Sequence, residues 1–280
     1  MAIRRALLAA LPVAAALTAA PAVLLGAQAA TGWAPAATAT IRPGVETVTG
    51  EGQCTANFVF TDPAGAVYLG QAAHCSGTGA ATDTNGCTAG SLPLGTRVRV
   101  GGASRPGTLV YSSWLTMQRV READPDACAF NDFALVRLDP ADRAKVNPTV
   151  PIWGGPTGLG TSTAPLSQVY SYGNSSLRLG IPQLSPKVGI SLGDEAGAWT
   201  RSVYTVTPGI PGDSGSGFLN RDGQAVGILS TLAVTPLPAS NGVSDLNRAL
   251  AYARAKGGPA VTLERGTERF DGSGLLKILG

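Results

Sequence analysis

Three short segments carry residues whose chemistry is specific. Pro211-Gly212-Asp213-Ser214-Gly215-Ser216-Gly217 sets a serine among glycines. A serine hydroxyl is a weak nucleophile until a base takes its proton, and its attack on a carbonyl creates an oxyanion that needs donors already in place. Glycines on both sides of Ser214 let the backbone turn so that the amides of Gly212 and Ser214 can face one point. The base must be His74, the only histidine in 280 residues, in Gln71-Ala72-Ala73-His74-Cys75. The third member is Asp132, which opens the otherwise apolar run Asp132-Phe133-Ala134-Leu135-Val136. A carboxylate there can accept from the imidazole and hold its tautomer. Alone, each segment also reads blandly, as a Gly/Ser turn, a structural histidine beside a cysteine, and a strand-start aspartate. Together, in one order, they read as a nucleophile, a base and an orienting acid.

These residues must be brought together by short strands. From Ile41 onward, apolar and β-branched runs bounded by Gly, Pro, Asn or Asp recur at 56–61, 66–70, 96–100, 132–138, 167–172, 199–206 and 224–231. Their spacing predicts an all-β sandwich or barrel rather than βαβ units. Only 244–255 has a helical pattern, with Ser244 as N-cap, Leu246, Leu250 and Ala253 on one face, and Gly257-Gly258 as the stop.

Composition narrows the function classes. Only 14% of residues are charged, and Gly 37 with Pro 20 make about a fifth of the chain, as turn-rich β structure would require. A single histidine rules out any centre built on two imidazoles, and no metal or other cofactor is expected. Residues 1–29 combine Arg4 and Arg5, an uncharged apolar run and Ala27-Gln28-Ala29, the layout of a cleaved secretory signal peptide. Its removal takes two of the 21 basic residues and leaves all 18 acidic ones, a balance of +1 that implies no nucleic-acid partner. No stable membrane association is expected after cleavage. In an exported chain the four cysteines, Cys54, Cys75, Cys87 and Cys128, read as two disulfides, with three connectivities open. Residues 30–40 are Ala-, Thr- and Pro-rich and read as a flexible lead-in; 41–256 reads as the folded domain and 257–280 as a tail of uncertain order.

The order His, Asp, Ser separates the scaffolds that use such a set. An α/β-hydrolase needs a histidine after its serine, and subtilisin order needs an acid such as Asp62 before His74 on an α/β fold. The Ala-Ala-His-Cys, Asn-Asp-Phe-Ala-Leu-Val and Gly-Asp-Ser-Gly segments instead resemble the chymotrypsin-like (trypsin-fold) serine endopeptidases, especially their secreted bacterial branch. That resemblance spans about 41–255. It implies two six-stranded antiparallel β-barrels, an active site in the cleft between them, and a C-terminal helix.

It further implies His74, Asp132 and Ser214 as the triad, the Gly212 and Ser214 amides as the oxyanion hole, and Ser230 as support for the buried aspartate. Cys54 matches the cysteine that bridges to Cys75, which leaves Cys87 for Cys128. The implied protein is a secreted, extracellular monomer acting on polypeptides. A catalytically silent binding domain on the same fold and an esterase using the same triad are the alternatives.

This chain departs from the family pattern at Ser216, where relatives have glycine, and at Leu232, where many have the glycine of Ser-Trp-Gly. An ungapped count puts the primary pocket at Pro208 and Leu232, and no acid lies within 207–212, so preference for Lys or Arg is not expected. Relatives of the trypsin type insert a new N-terminal Ile or Val against the aspartate beside the nucleophile. Thr40 before Ile41 is not a tryptic cleavage site, so an internal partner for Asp213 is expected.

Overall fold

Strand patterning dominates the chain and yields, among the described residues, fourteen strands: β1 (Glu46–Thr49), β2 (Gly52–Thr55), β3 (Val59–Thr61), β4 (Val67–Gln71), β5 (Arg97–Val100), β6 (Gly107–Ser112), β7 (Ala134–Arg137), β8 (Gln168–Tyr172), β9 (Pro186–Glu195), β10 (Thr200–Thr205), β11 (Gly217–Asn220), β12 (Ala225–Ala233), β13 (Ser240–Asp245) and β14 (Thr262–Leu263). The structure is a computed structural model and describes residues 32–80, 82–233 and 240–273, without the side chains of residues 232 and 233. The expected signal segment, 1–29, lies outside the described residues.

Two antiparallel sheets result. The first is ordered β14-β3-β4-β7-β6-β5-β1-β2, and the second closes on itself as β10-β13-β12-β11-β8-β9. One of the two expected six-stranded barrels is therefore a closed six-stranded barrel. The other is an eight-stranded half-barrel, widened by β14 from the chain's end pairing with β3. β5 shows the cause of such strands plainly: Arg97 and Arg99 are exposed while Val98 and Val100 are buried, the period-two alternation of a half-buried strand.

The core follows the same division. Ile41, Val59, Leu69, Val98, Leu109 and Met117 fill the first sheet, and Val169, Val203, Phe218, Val226 and Val243 fill the second. A third cluster, with Phe58, Phe133, Trp153 and Tyr170, draws on residues of both halves of the chain.

Among the described residues three α-helices punctuate the sheets: α1 (Ser113–Val120), α2 (Pro125–Phe130) and α3 (Leu246–Ala255). The expected C-terminal helix is α3, but its cap is Asp245, whose side chain accepts from the Arg248 amide at 2.7 Å. Ser244 instead lies within β13, opposite Thr200 and Ile228. The aspartate is a strong cap for the exposed first-turn amides. α1 and α2 were not expected; at eight and six residues they are too short for a periodic stripe to stand out.

The lead-in differs from its flexible compositional reading, and the order of the tail, which composition leaves open, is defined at its start. The lead-in is held in place: Trp33 packs on the first core and stacks under Arg143, and Ala34 bonds through both its amide and its carbonyl to Val146 and Asn147. The start of the tail is also held. Beyond β14, Thr267 bonds to Asn147 and Thr149, the Glu268 carbonyl accepts from Gly155, and Phe270 packs edge-on against Tyr170. The last residues, 274–280, lie outside the described residues. Among the described residues no helix is long and apolar enough to cross a membrane.

Candidate active site

His74 sits on a single 3-10 turn, Ala73–Ser76, directly after β4. The Cys54–Cys75 disulfide, with Cα atoms 6.0 Å apart, ties that turn to β2. A second bridge joins Cys87 to Cys128 and fixes the loop after His74 to α2. Asp132 lies two residues before β7, and the backbone on both sides of it is clamped by Ser113, the first residue of α1. The Ser113 hydroxyl donates to the Asn131 carbonyl at 2.6 Å and accepts from the Phe133 amide at 3.0 Å, while the Ser113 amide donates to the Phe133 carbonyl at 2.8 Å. The short helix α1 therefore positions the carboxylate.

The two elements meet through three donors on one carboxylate. His74 Nδ1 lies 2.6 Å from Asp132 Oδ2, the His74 amide donates to Oδ1 at 2.9 Å, and Ser230 Oγ on β12 donates to Oδ2 at 2.6 Å. Asp132 is buried and its carboxylate is ionised: burial pushes its pKa up, but the His74 charge and the bonds from His74 and Ser230 pull it below the usual value. For His74, burial disfavours the imidazolium, yet the Asp132 charge and hydrogen bond outweigh it and raise its pKa above the ordinary histidine value. The imidazole still reaches the cleft, with 28% of its side chain exposed.

Ser214 lies opposite, on the turn that leads into β11, and it is half-buried. The first sheet holds this turn of the second: Thr55 donates its amide to the Ser214 carbonyl at 2.8 Å and its hydroxyl to the Gly212 carbonyl at 2.8 Å, and Asn57 Nδ2 donates to the Gly215 carbonyl at 3.1 Å. Within the turn, the amides of Asp213, Gly215 and Ser216 donate to the carbonyls of Ile210, Leu229 and Asp213. Among the described residues the amides of Gly212 and Ser214 serve no acceptor. Gly212 has φ +95° and Gly215 φ +88°, and a Cβ on Gly212 would stand 2.6 Å from Gln53 Oε1. The turn thus needs glycine at 212 and 215. Position 216 lacks a positive φ, which is why serine is accommodated there.

Asp213 faces away from the cleft. Arg178 Nη2 lies 2.5 Å and Lys187 Nζ 2.9 Å from its Oδ2, and the amides of Ser175 and Ile210 donate to the same carboxylate. Burial would raise its pKa; Arg178 and Lys187 overcome this and hold it below the usual range. Ile41 is elsewhere, fully buried in the first core with its amide on the Lys145 carbonyl. The partner of Asp213 is internal.

A cleft of about 650 Å³ runs between the sheets, and His74, Asp132, Ser214, Gly212 and Ser230 all line it. Of the two pocket residues inferred by counting, only Pro208 has a described side chain. Pro208 stands outside the cleft, its carbonyl accepting from Arg178 and Lys187, and Gly209 and Ile210 take the lining position. An ungapped count locates a segment but not the face that each backbone unit presents. Leu232 pairs with Asn241 through its backbone, and its side chain lies outside the described residues. Three cleft residues had no sequence signal: Trp114 of α1, whose ring centroid is 6.4 Å from that of His74, and Gln53 and Asn241, polar residues within strands.

No protein-family model and no curated protein matches the sequence. Solved structures match the fold. Thermobifida fusca Protease A is 18% identical, with 81% of this chain and 99% of that chain covered at a TM-score of 0.50. A Nocardiopsis protease is 19% identical over 80% of this chain and 98% of its own, with a TM-score of 0.46. A glutamic acid-specific serine protease is 20% identical over 80% and 100%, with a TM-score of 0.48. With its closed barrel, half-barrel, cleft and C-terminal helix, the chain has the chymotrypsin-like, trypsin-type two-barrel fold.

Proposed function

We propose that the protein is a secreted serine endopeptidase in which Ser214 is the nucleophile, His74 the general base and acid, and Asp132 the residue that orients His74. The observation that carries this reading is the buried Asp132 carboxylate on His74 Nδ1, with Ser214 in the same cleft. With Nδ1–H held by Asp132, the other ring nitrogen is left as the acceptor for the Ser214 proton. Attack by Ser214 Oγ on a peptide carbonyl puts negative charge on its oxygen, and the unengaged Gly212 and Ser214 amides are suited to receive it. His74 then returns the proton to the leaving amine, an acyl-enzyme remains on Ser214, and water repeats the sequence to release the acid. None of these steps requires a cofactor. The two disulfides and the leader-like residues 1–29 support an extracellular setting.

Incubating the purified protein with a mixture of unmodified peptides and reading the products by mass spectrometry tests the endopeptidase reading. Internal cleavage that disappears in Ser214→Ala is expected. Intact peptides alongside hydrolysis of small esters would overturn it in favour of an esterase.

A further inference from the structure

We propose that the pocket for the residue on the acyl side of the scissile bond takes a small, uncharged side chain, because Asn241 and Leu229 already fill its floor. This inference rests on the endopeptidase reading and adds the substrate class. With the carbonyl carbon at Ser214 Oγ and its oxygen at the Gly212 and Ser214 amides, the side chain of that residue falls between two walls. One is the segment from Gly209 to Pro211; the other is Leu229 to Thr231 on β12.

Asn241 of β13 closes the gap between these walls. Its side chain is fully buried, its Oδ1 accepts from the Gly209 amide at 2.9 Å, and its Nδ2 donates to Thr205 Oγ1 at 3.2 Å. The amide is therefore a crosspiece fixed at both ends. Leu229, also buried, presses on the same spot: a Cβ built on Gly209 would stand 2.5 Å from Asn241 Oδ1 and 2.9 Å from the nearer Leu229 methyl. A long substrate side chain entering between the walls meets the same atoms.

Among the described residues the floor also lacks charge. Arg178 and Lys187 lie behind the Pro208 carbonyl and are committed to Asp213. A Lys, Arg, Asp or Glu entering from solvent would lose its hydration without gaining a counter-ion.

The test uses fluorogenic peptides that differ only at the acyl-side residue, carrying Ala, Val, Phe, Lys or Glu, and compares kcat/KM. Ala or Val is expected to exceed Phe, Lys and Glu by at least about tenfold, the scale at which a pocket discriminates by size. Leu229→Ala is expected to raise the Phe/Ala ratio of kcat/KM by about tenfold or more. If that variant does not fold, the wild-type profile alone decides. A wild-type preference for Phe, Lys or Glu, or an unchanged ratio in a folded Leu229→Ala, would overturn the inference. Reaction of Ser214 with a fluorophosphonate separates the two levels: labelling together with a large-residue preference defeats this proposal alone, whereas no labelling defeats the endopeptidase reading beneath it.

Discussion

Lys187 Nζ lies 2.9 Å from Asp213 Oδ2 in a site from which both side chains exclude solvent completely. Arg178 shares the same oxygen. The residue next to Ser214 is thus anchored by two cations from the β8–β9 connection and β9. Asp213→Asn would leave both cations buried without their anion and is expected to cost about 3–5 kcal/mol of stability. Lys187→Met keeps the Arg178 pair and should cost less, while slowing the reaction of Ser214 by freeing the Thr207 and Pro208 carbonyls that Lys187 now ties. Chemical denaturation and fluorophosphonate labelling rates check both. The same anchor predicts that the active protein does not begin at Ile41, which N-terminal sequencing decides.

The triad should act as one unit. Ser214→Ala and His74→Ala are each expected to remove nearly all peptide hydrolysis, and the double variant little more, because either loss disables the same step. Steady-state kinetics on one peptide provides the check; additive losses would contradict a shared role.

Activity should rise with pH as His74 loses its proton. Since Asp132 raises the His74 pKa, the midpoint of kcat/KM is expected above the ordinary value of about 6.5. Asp132→Asn removes the charge that opposes burial, so its midpoint should fall below that of the wild type as its rate collapses. A wild-type profile flat across the histidine range contradicts His74 as the base.

The start of the tail should matter for stability and not for chemistry. Phe270→Ala strips a half-buried ring from Tyr170 and is expected to cost about 2 kcal/mol, a fall in Tm of about 4–8 °C for a domain of this size. Calorimetry beside active-site labelling tests this, with the labelled fraction unchanged.

What the sequence revealed was governed by how local each signal is. Ser214, His74 and Asp132 stood out because each lies in a short segment whose neighbours restrict its role, and α3 because ten residues are enough for a stripe. Ser113 did not, since a serine that clamps Asp132 looks like any helix-start serine until β6 and β7 are paired. Arg178 and Lys187 did not stand out either, because nothing local marks a side chain that folding will bury on an aspartate 26 or more residues away. Trp33 and Phe270 were hidden for the same reason: composition suggests mobility around the first and leaves the second open, and only contacts distant in sequence hold them. Pro208 shows a further limit, since the single peptide group joining it to Gly209 turns its carbonyl to Lys187 and its amide to Asn241.

The most direct test of the central claim is covalent labelling of the folded, disulfide-bonded protein with a fluorophosphonate, read by peptide mass spectrometry. The account predicts modification at Ser214, lost in Ser214→Ala and slowed by orders of magnitude in His74→Ala. Folded protein with both disulfides intact that remains unmodified, or is modified at another serine, would contradict it.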